Sequence, residues 1–210
     1  MDVVVFGNRN FASLAWHALS FDSPHDVVCF TVDSEYIVER EKHGLPVVAF
    51  DNVEVQYLPS STLLIVPMTG ADANHARTQK FLSGRKKGYH FVSWIASTAA
   101  VANDLRPADN CMIFDGTSIQ PFCRIGSNVI IRNGCHISHH VVIGDNCFLA
   151  PGVVVCGGTS IGDDCMLGAN CTIRDNVSIA PGSIIGAGAV VTRTISEAGT
   201  YVGVPAKRIK

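Results

Sequence analysis

Beginning at Ile113, every sixth residue of the chain is aliphatic: Ile119, Ile125, Ile131, Ile137, Ile143, Leu149, Val155, Ile161, Leu167, Ile173, Ile179, Ile185 and Val191, with no insertion. Two residues before each stands a small or β-branched side chain, such as Cys111, Thr117, Cys123 and Val129. Two inward positions two residues apart make a short strand with period-two alternation. Glycine, asparagine and aspartate fill the turns between, as in Gly126-Ser127-Asn128 and Gly144-Asp145-Asn146. Such a unit suits neither an α-helix nor an array of hairpins. Three of them close a triangular coil of about 18 residues, each strand pairing with the coil above at ~4.8 Å. The pattern therefore predicts a parallel β-helix of hexapeptide repeats over residues 99–194.

The residue just before each aliphatic position faces outward. One face carries Met112, Ile130, Phe148, Met166 and Ile184, an unbroken apolar stripe. A solvated wall does not need such a stripe, and a subunit interface does.

Residues 1–94 lack the six-residue period. Val3-Val4-Val5-Phe6-Gly7 reads as a buried strand ending in a turn, with Asn10 capping a helix that carries Phe11, Leu14, Ala15, Ala18 and Leu19 on one side. Val27–Val32 is a second strand ending at Asp33, Leu63–Val66 a third, and a helix follows from about Asp72 to Leu82. Alternating strands and helices predict a small Rossmann-like α/β domain with a parallel sheet. The expected division is residues 1–94 for this domain and 95–210 for the solenoid and its tail. In such sheets a ligand sits beyond the strand C-termini, here near Gly7, Asn8 and Asp33. Gly7-Asn8-Arg9-Asn10-Phe11-Ala12 has one glycine where a dinucleotide fingerprint has three, so a nicotinamide cofactor is not expected. Asp33 then either meets a ribose hydroxyl or caps its own loop.

Composition narrows the classes. With 47% hydrophobic and 16% charged residues among 210, the chain can bury an ample core. A net charge of -2 gives no basic field for nucleic acid, and no apolar run reaches the ~20 residues of a membrane span. Met1-Asp2-Val3 does not open a signal peptide, so a cytoplasmic protein is expected. Of eight cysteines, Cys111, Cys123, Cys135, Cys147, Cys165 and Cys171 share one phase of the repeat, which suits packing thiols of a reducing compartment, with disulfides or a metal as the alternative.

Candidate chemistry concentrates in Cys135-His136-Ile137-Ser138-His139-His140. His139 and His140 fall at an outer corner, and the residues 18 positions on are Gly157 and Gly158. Two glycines above two histidines leave a notch with accessible backbone amides. A base beside such an amide deprotonates an amine or hydroxyl while the N–H steadies an oxyanion. The plain alternative is two solvated turn histidines over a tight turn. A metal is not expected, because the three histidines lie within half a coil and no acid or histidine stands above them.

The ending Tyr201-Val202-Gly203-Val204-Pro205-Ala206-Lys207-Arg208-Ile209, with Ile185-Gly186-Ala187-Gly188-Ala189-Val190-Val191, resembles the NeuD/PglD-type bacterial sugar acyltransferases. These include bacillosamine and perosamine N-acetyltransferases and sialic-acid O-acetyltransferase homologues. The resemblance covers nearly the whole chain and implies a left-handed solenoid, a homotrimer with active sites between subunits, and acetyl-CoA lying along the solenoid. It implies His139 as catalytic base and a backbone amide near Gly157 as the support for the acetyl carbonyl. Pantetheine would pass Gly168, Ala169 and Ala187, and Lys207 and Arg208 would meet the nucleotide end of CoA. The nucleotide sugar would lie against Gly7, Asn8 and Asp33.

Three departures stand out, one of them the single glycine of the Gly7-to-Ala12 loop. The family commonly places an acid after the base, where this chain has His140, leaving Asp115 or Asp145 as substitutes from another turn or subunit. Phe148 stands where some members carry a histidine near the acyl site. The resulting expectation is an acyl-CoA-dependent N-acyltransferase acting on a nucleotide-linked amino sugar in surface glycan biosynthesis. O-acylation of a sugar hydroxyl, a non-catalytic sugar-binding scaffold and a metal-dependent hydratase are the alternatives.

Overall fold

A computed structural model describes residues 1–69 and 73–210, which divide into two compact units, Met1–Trp94 and Ile95–Lys210. The first is a five-stranded sheet flanked by helices. In chain order it comprises β1 (Asp2–Phe6), α1 (Asn10–Phe21), β2 (Asp26–Val32), β3 (Glu41–Lys42), β4 (Leu45–Ala49), α2 (Val53–Gln56), β5 (Thr62–Ile65) and α3 (Ala73–Lys86). The strand order is β3-β4-β2-β1-β5, parallel except for the β3–β4 edge pair. Val3, Val4 and Val5 are completely buried, the pattern of a parallel strand covered on both faces. α1 turns Ala12, Ala15, Ala18 and Leu19 inward. Asn10 is its first helical residue rather than its cap, and the cap residue Arg9 makes no capping hydrogen bond through its side chain. The β3–β4 hairpin was not legible in the pattern, because β4 is short and carries Pro46, a residue that argues against a strand interior. The expected start of α3 at Asp72 lies outside the described residues.

The second unit is the solenoid. Pairing runs strictly 18 residues apart: Met112 with Ile130, Phe148, Met166 and Ile184 on one sheet, Ser118 with His136, Val154, Thr172 and Val190 on another, and Arg124 with Val142, Ser160 and Ser178 on the third. It is the left-handed parallel β-helix of hexapeptide repeats. All the six-spaced aliphatic residues from Ile113 to Val191 are at most 5% exposed, so they are the core of the coil. All eight cysteines are free thiols. Several do more than pack: Cys111, Cys123, Cys135, Cys147 and Cys165 each donate to the carbonyl 15 residues ahead at 3.0–3.3 Å, and Thr117 and Thr159 donate likewise at 3.1 and 2.9 Å. The inward polar atom thus satisfies a carbonyl of the next coil. After Val191 the period ends. Thr200–Val202 adds in parallel to Ile184–Ile185, and Lys207–Arg208 folds back antiparallel on it.

Each turn also holds one residue in the left-handed backbone region, again every sixth from Asn110 to Gly188. Glycine, asparagine or aspartate occupies this place in all turns but two, where it is Phe122 (φ 67°) and His140 (φ 60°).

The apolar stripe needs correction. Met112 and Ile130 are 1% exposed in the single chain, so they are unavailable to another subunit. Phe148 and Met166 are partly exposed, and only Ile184, at 42%, stands open.

Candidate active site

His139 and His140 form a turn of the solenoid between the strands His136–Ile137 and Val142–Ile143. The backbone is pinned from the coil below: the His139 N–H donates to Gln120 Oε1 at 3.0 Å, and the His140 N–H to the Pro121 carbonyl at 3.2 Å. From above, the Gly158 N–H donates to the His139 carbonyl at 3.0 Å. The imidazole of His139 lies against Gly157. A Cβ at that glycine would meet His139 Cε1 at 2.7 Å, Nε2 at 3.0 Å and Nδ1 at 3.1 Å. Gly157 is a glycine because the ring occupies the place of a side chain, not because of its own torsions. No hydrogen bond among the described residues uses the Gly157 N–H. An imidazole and an unpaired amide therefore share one corner.

The two Nδ1 atoms of His139 and His140 are 3.1 Å apart, with ring planes at 83°. That separation suits a single N–H···N hydrogen bond, in which one ring donates and the other accepts. When His139 is the donor, its Nε2 carries the free lone pair. Neither aspartate considered as a substitute orienting group does this within the chain: Asp115 accepts from Thr98 and Asn133, and Asp145 accepts from the Ser127 amide. Gln120, which sequence reasoning missed, sits 19 residues back on the adjacent coil, a spacing the repeat itself makes legible.

The amides of Ala169 and Ala187 are likewise unused among the described residues. Gly168 has a packing reason for being glycine: a Cβ there would lie 2.5 Å from the Ala187 nitrogen on the next coil. In the tail, Arg208 is committed, with Nη1 donating to Glu197 at 2.8 Å, Nη2 to the Ala198 carbonyl and Nε to the Lys210 carbonyl. Lys207 lines a cavity of about 410 Å³ with Thr192, Arg193, Thr194 and Tyr201.

In the first unit, Gly7 (φ 114°) donates its N–H to the Thr31 carbonyl at 2.7 Å, which brings the ends of β1 and β2 together. Asn8 Nδ2 donates to the Tyr36 carbonyl at 3.0 Å. Asp33 is paired: Lys80 Nζ, from α3, donates to its Oδ1 at 2.6 Å and sits over the rings of Phe6 and Phe50. Nothing in the local pattern announced Lys80, which is 47 residues away. A cavity of about 580 Å³ lies between β4 and α2, lined by residues including Ile37, Arg40, Val48 and Asn52, and touches none of Gly7, Asn8 and Asp33. Among the described residues no group of three His, Cys, Asp or Glu is placed to hold a metal ion.

The family model of the GMPPB C-terminal domain matches residues 108–210. No curated protein matches the chain. Among solved structures, PerB from Caulobacter crescentus, in complex with CoA and GDP-perosamine, is 26% identical, with 100% of this chain and 98% of that one covered and a TM-score of 0.88. The acetyltransferase domain of PglB from Neisseria gonorrhoeae, in complex with acetyl coenzyme A, is 19% identical over 99% and 98%, with a TM-score of 0.86. WeeI from Acinetobacter baumannii is 20% identical over the full length of both chains, with a TM-score of 0.71. Over its whole length the chain thus shares its fold with PerB, the PglB acetyltransferase domain and WeeI.

Proposed function

We propose that the protein transfers an acetyl group from acetyl-CoA to the amino group of a nucleotide-linked sugar, with His139 as general base. The observation that carries this reading is the imidazole of His139 laid against Gly157, whose amide N–H has no partner among the described residues. His139 Nδ1–H donates to His140 Nδ1, which leaves Nε2 to take a proton from the amine. The amine nitrogen bonds the thioester carbonyl carbon and the Gly157 N–H stabilises the oxyanion. The C–S bond then breaks, and the departing thiolate receives the proton from His139. No covalent enzyme intermediate is required.

The open amides of Ala169 and Ala187 offer donors to the pantetheine chain, and Lys207 with Arg193 offers positive charge to the donor's phosphates. PerB, at 26% identity over the whole chain, was crystallised with CoA and GDP-perosamine, which supports both the donor and the acceptor class. The ends of β1 and β2, with Gly7, Asn8 and the Asp33–Lys80 pair, are the proposed acceptor side. Synthesis of a surface glycan in the cytoplasm by a homotrimer completes the reading.

The test is transfer from acetyl-CoA to a panel of UDP-, GDP- and dTDP-linked amino sugars, followed by mass spectrometry. An acetyl mass gained by one acceptor is the expected result, and His139→Ala should lower its kcat about 100- to 10,000-fold. Near-normal turnover in that variant removes His139 from the mechanism. Acetyl-CoA binding without any product would move the acceptor to a hydroxyl.

A further inference from the structure

Among the left-handed turn positions, one column of the solenoid differs from the rest. Its successive coils carry Phe122, His140, Gly158 and Asn176, whereas the other two columns hold only glycine, asparagine or aspartate. What the position ordinarily does is visible in the neighbouring column. Asn110 Nδ2 donates to Asn128 Oδ1 at 2.7 Å and Asn128 Nδ2 to Asn146 Oδ1 at 2.8 Å, a ladder of amides with Asn128 wholly buried. Phe122 takes no part in such a ladder and is 65% exposed. A bulky side chain in the left-handed region is strained, and an exposed ring recovers little through burial. Strain of this kind persists where it serves a site.

The ring's neighbours indicate which site. The Phe122 and His140 ring centres are 4.8 Å apart at 39°, and those of His140 and His139 are 5.2 Å apart at 83°. The backbone under the Phe122 ring is fixed, with its N–H donating to Asp104 Oδ2 at 2.9 Å. Three rings thus run in series from the strained position to His139. We propose that Phe122 is a positioning residue: its ring holds the imidazole of His140 so that Nδ1 of His140 accepts from Nδ1–H of His139, and so sets the tautomer of the base. This rests on the reading of His139 as base, but its first readout needs no substrate. In this chain an aromatic clamp on a histidine takes over the orienting work of a carboxylate.

Phe122→Asn tests it, because asparagine already fills five other turns of the same kind. Relief of strain should leave the thermal midpoint unchanged or raise it by about 2–4 °C. Long-range nitrogen–proton NMR of the imidazoles should show one dominant His139 tautomer in the natural protein, protonated at Nδ1. It should show an averaged pair in Phe122→Asn, with the single tautomer kept in Phe122→Tyr. On the acceptor that turns over, kcat should fall about 10-fold with the KM for acetyl-CoA unchanged, and the substitution should add nothing in a His139→Ala background.

An unchanged His139 tautomer in Phe122→Asn overturns the inference. So does a rise in acceptor KM that persists in the His139→Ala background, which would make Phe122 a direct acceptor contact. A fall of several degrees with the tautomer intact would make it a purely structural residue. Full activity of His139→Ala would instead sink the base itself, whatever the tautomer result.

Discussion

A single methyl group separates Gly157 from a test of the site. Its backbone torsions are ordinary, so alanine is conformationally permitted there, yet the new Cβ would sit 2.7 Å from His139 Cε1. The imidazole must swing away, and the expected result for Gly157→Ala is a loss of kcat of about 10- to 100-fold. In His139→Ala the obstruction is gone, so the thermal penalty of Gly157→Ala should vanish in the double variant, which a cycle of melting temperatures measures. A second residue-level outcome concerns His140. Glutamate at that place supplies the charge that stabilises an imidazolium, so His140→Glu should retain or exceed natural turnover, whereas His140→Ala should lose at least 10-fold. Steady-state kinetics on the same acceptor decides it. At this scale the sequence was legible where the repeat stacks residues: His139 and Gly157 are 18 apart and therefore one above the other. It was silent on Lys80, because a helix residue reaching an acid 47 positions away leaves no trace in local spacing. Phe122 lay between these cases. Its phase in the repeat marks it as the bulky residue in a turn position kept for glycine and asparagine, but only after the backbone identifies that phase.

The strand-and-turn unit explains why cysteine recurs. An inward position two residues before the aliphatic one must be small, and a thiol or hydroxyl there also donates to a carbonyl of the coil above. Thr159→Val keeps the volume and removes the donor to the Arg174 carbonyl at 2.9 Å, so it should destabilise the solenoid by about 1–3 kcal/mol, read from chemical denaturation. Burial also pushes the Cys135 thiol up to about 11 and that of Cys171 up to about 12, from an ordinary 9.0. The folded chain therefore keeps protons that the unfolded chain releases. This contribution is whole below pH 9 and is lost as pH rises through about 11–12, by at most about 1.4 kcal/mol per pH unit for each thiol. Melting temperatures from pH 8 to pH 10.5 should fall, and less steeply in a Cys135→Ala, Cys171→Ala variant. The period-six pattern made these elements readable because one strand-and-turn unit repeats. The β3–β4 hairpin and the closing Thr200–Val202 strand were not readable, since their strands are short and their places in the sheets are set by tertiary pairing.

For the molecule as a whole, the apolar stripe divides into two parts with opposite consequences. Its lower members, Met112 and Ile130, are already buried within one chain, so a charge there is an uncompensated buried charge. Ile130→Glu should therefore lower the melting temperature sharply or prevent folding, whatever the oligomeric state. Ile184 is 42% exposed, and glutamate at that place can remain solvated in a single subunit. If solenoids of three chains pack through the upper part of this sheet, Ile184→Glu must bury its charge only on assembly. The expected outcome is a folded chain with an unchanged circular dichroism spectrum whose mass by light scattering drops from three subunits to one. Activity should fall with it if the active sites are completed between subunits, as the resemblance to the sugar acyltransferases implies. A fully active assembly in Ile184→Glu would move the contact to another face, and the partly exposed Val154, Thr172 and Val190 are the next sheet to charge.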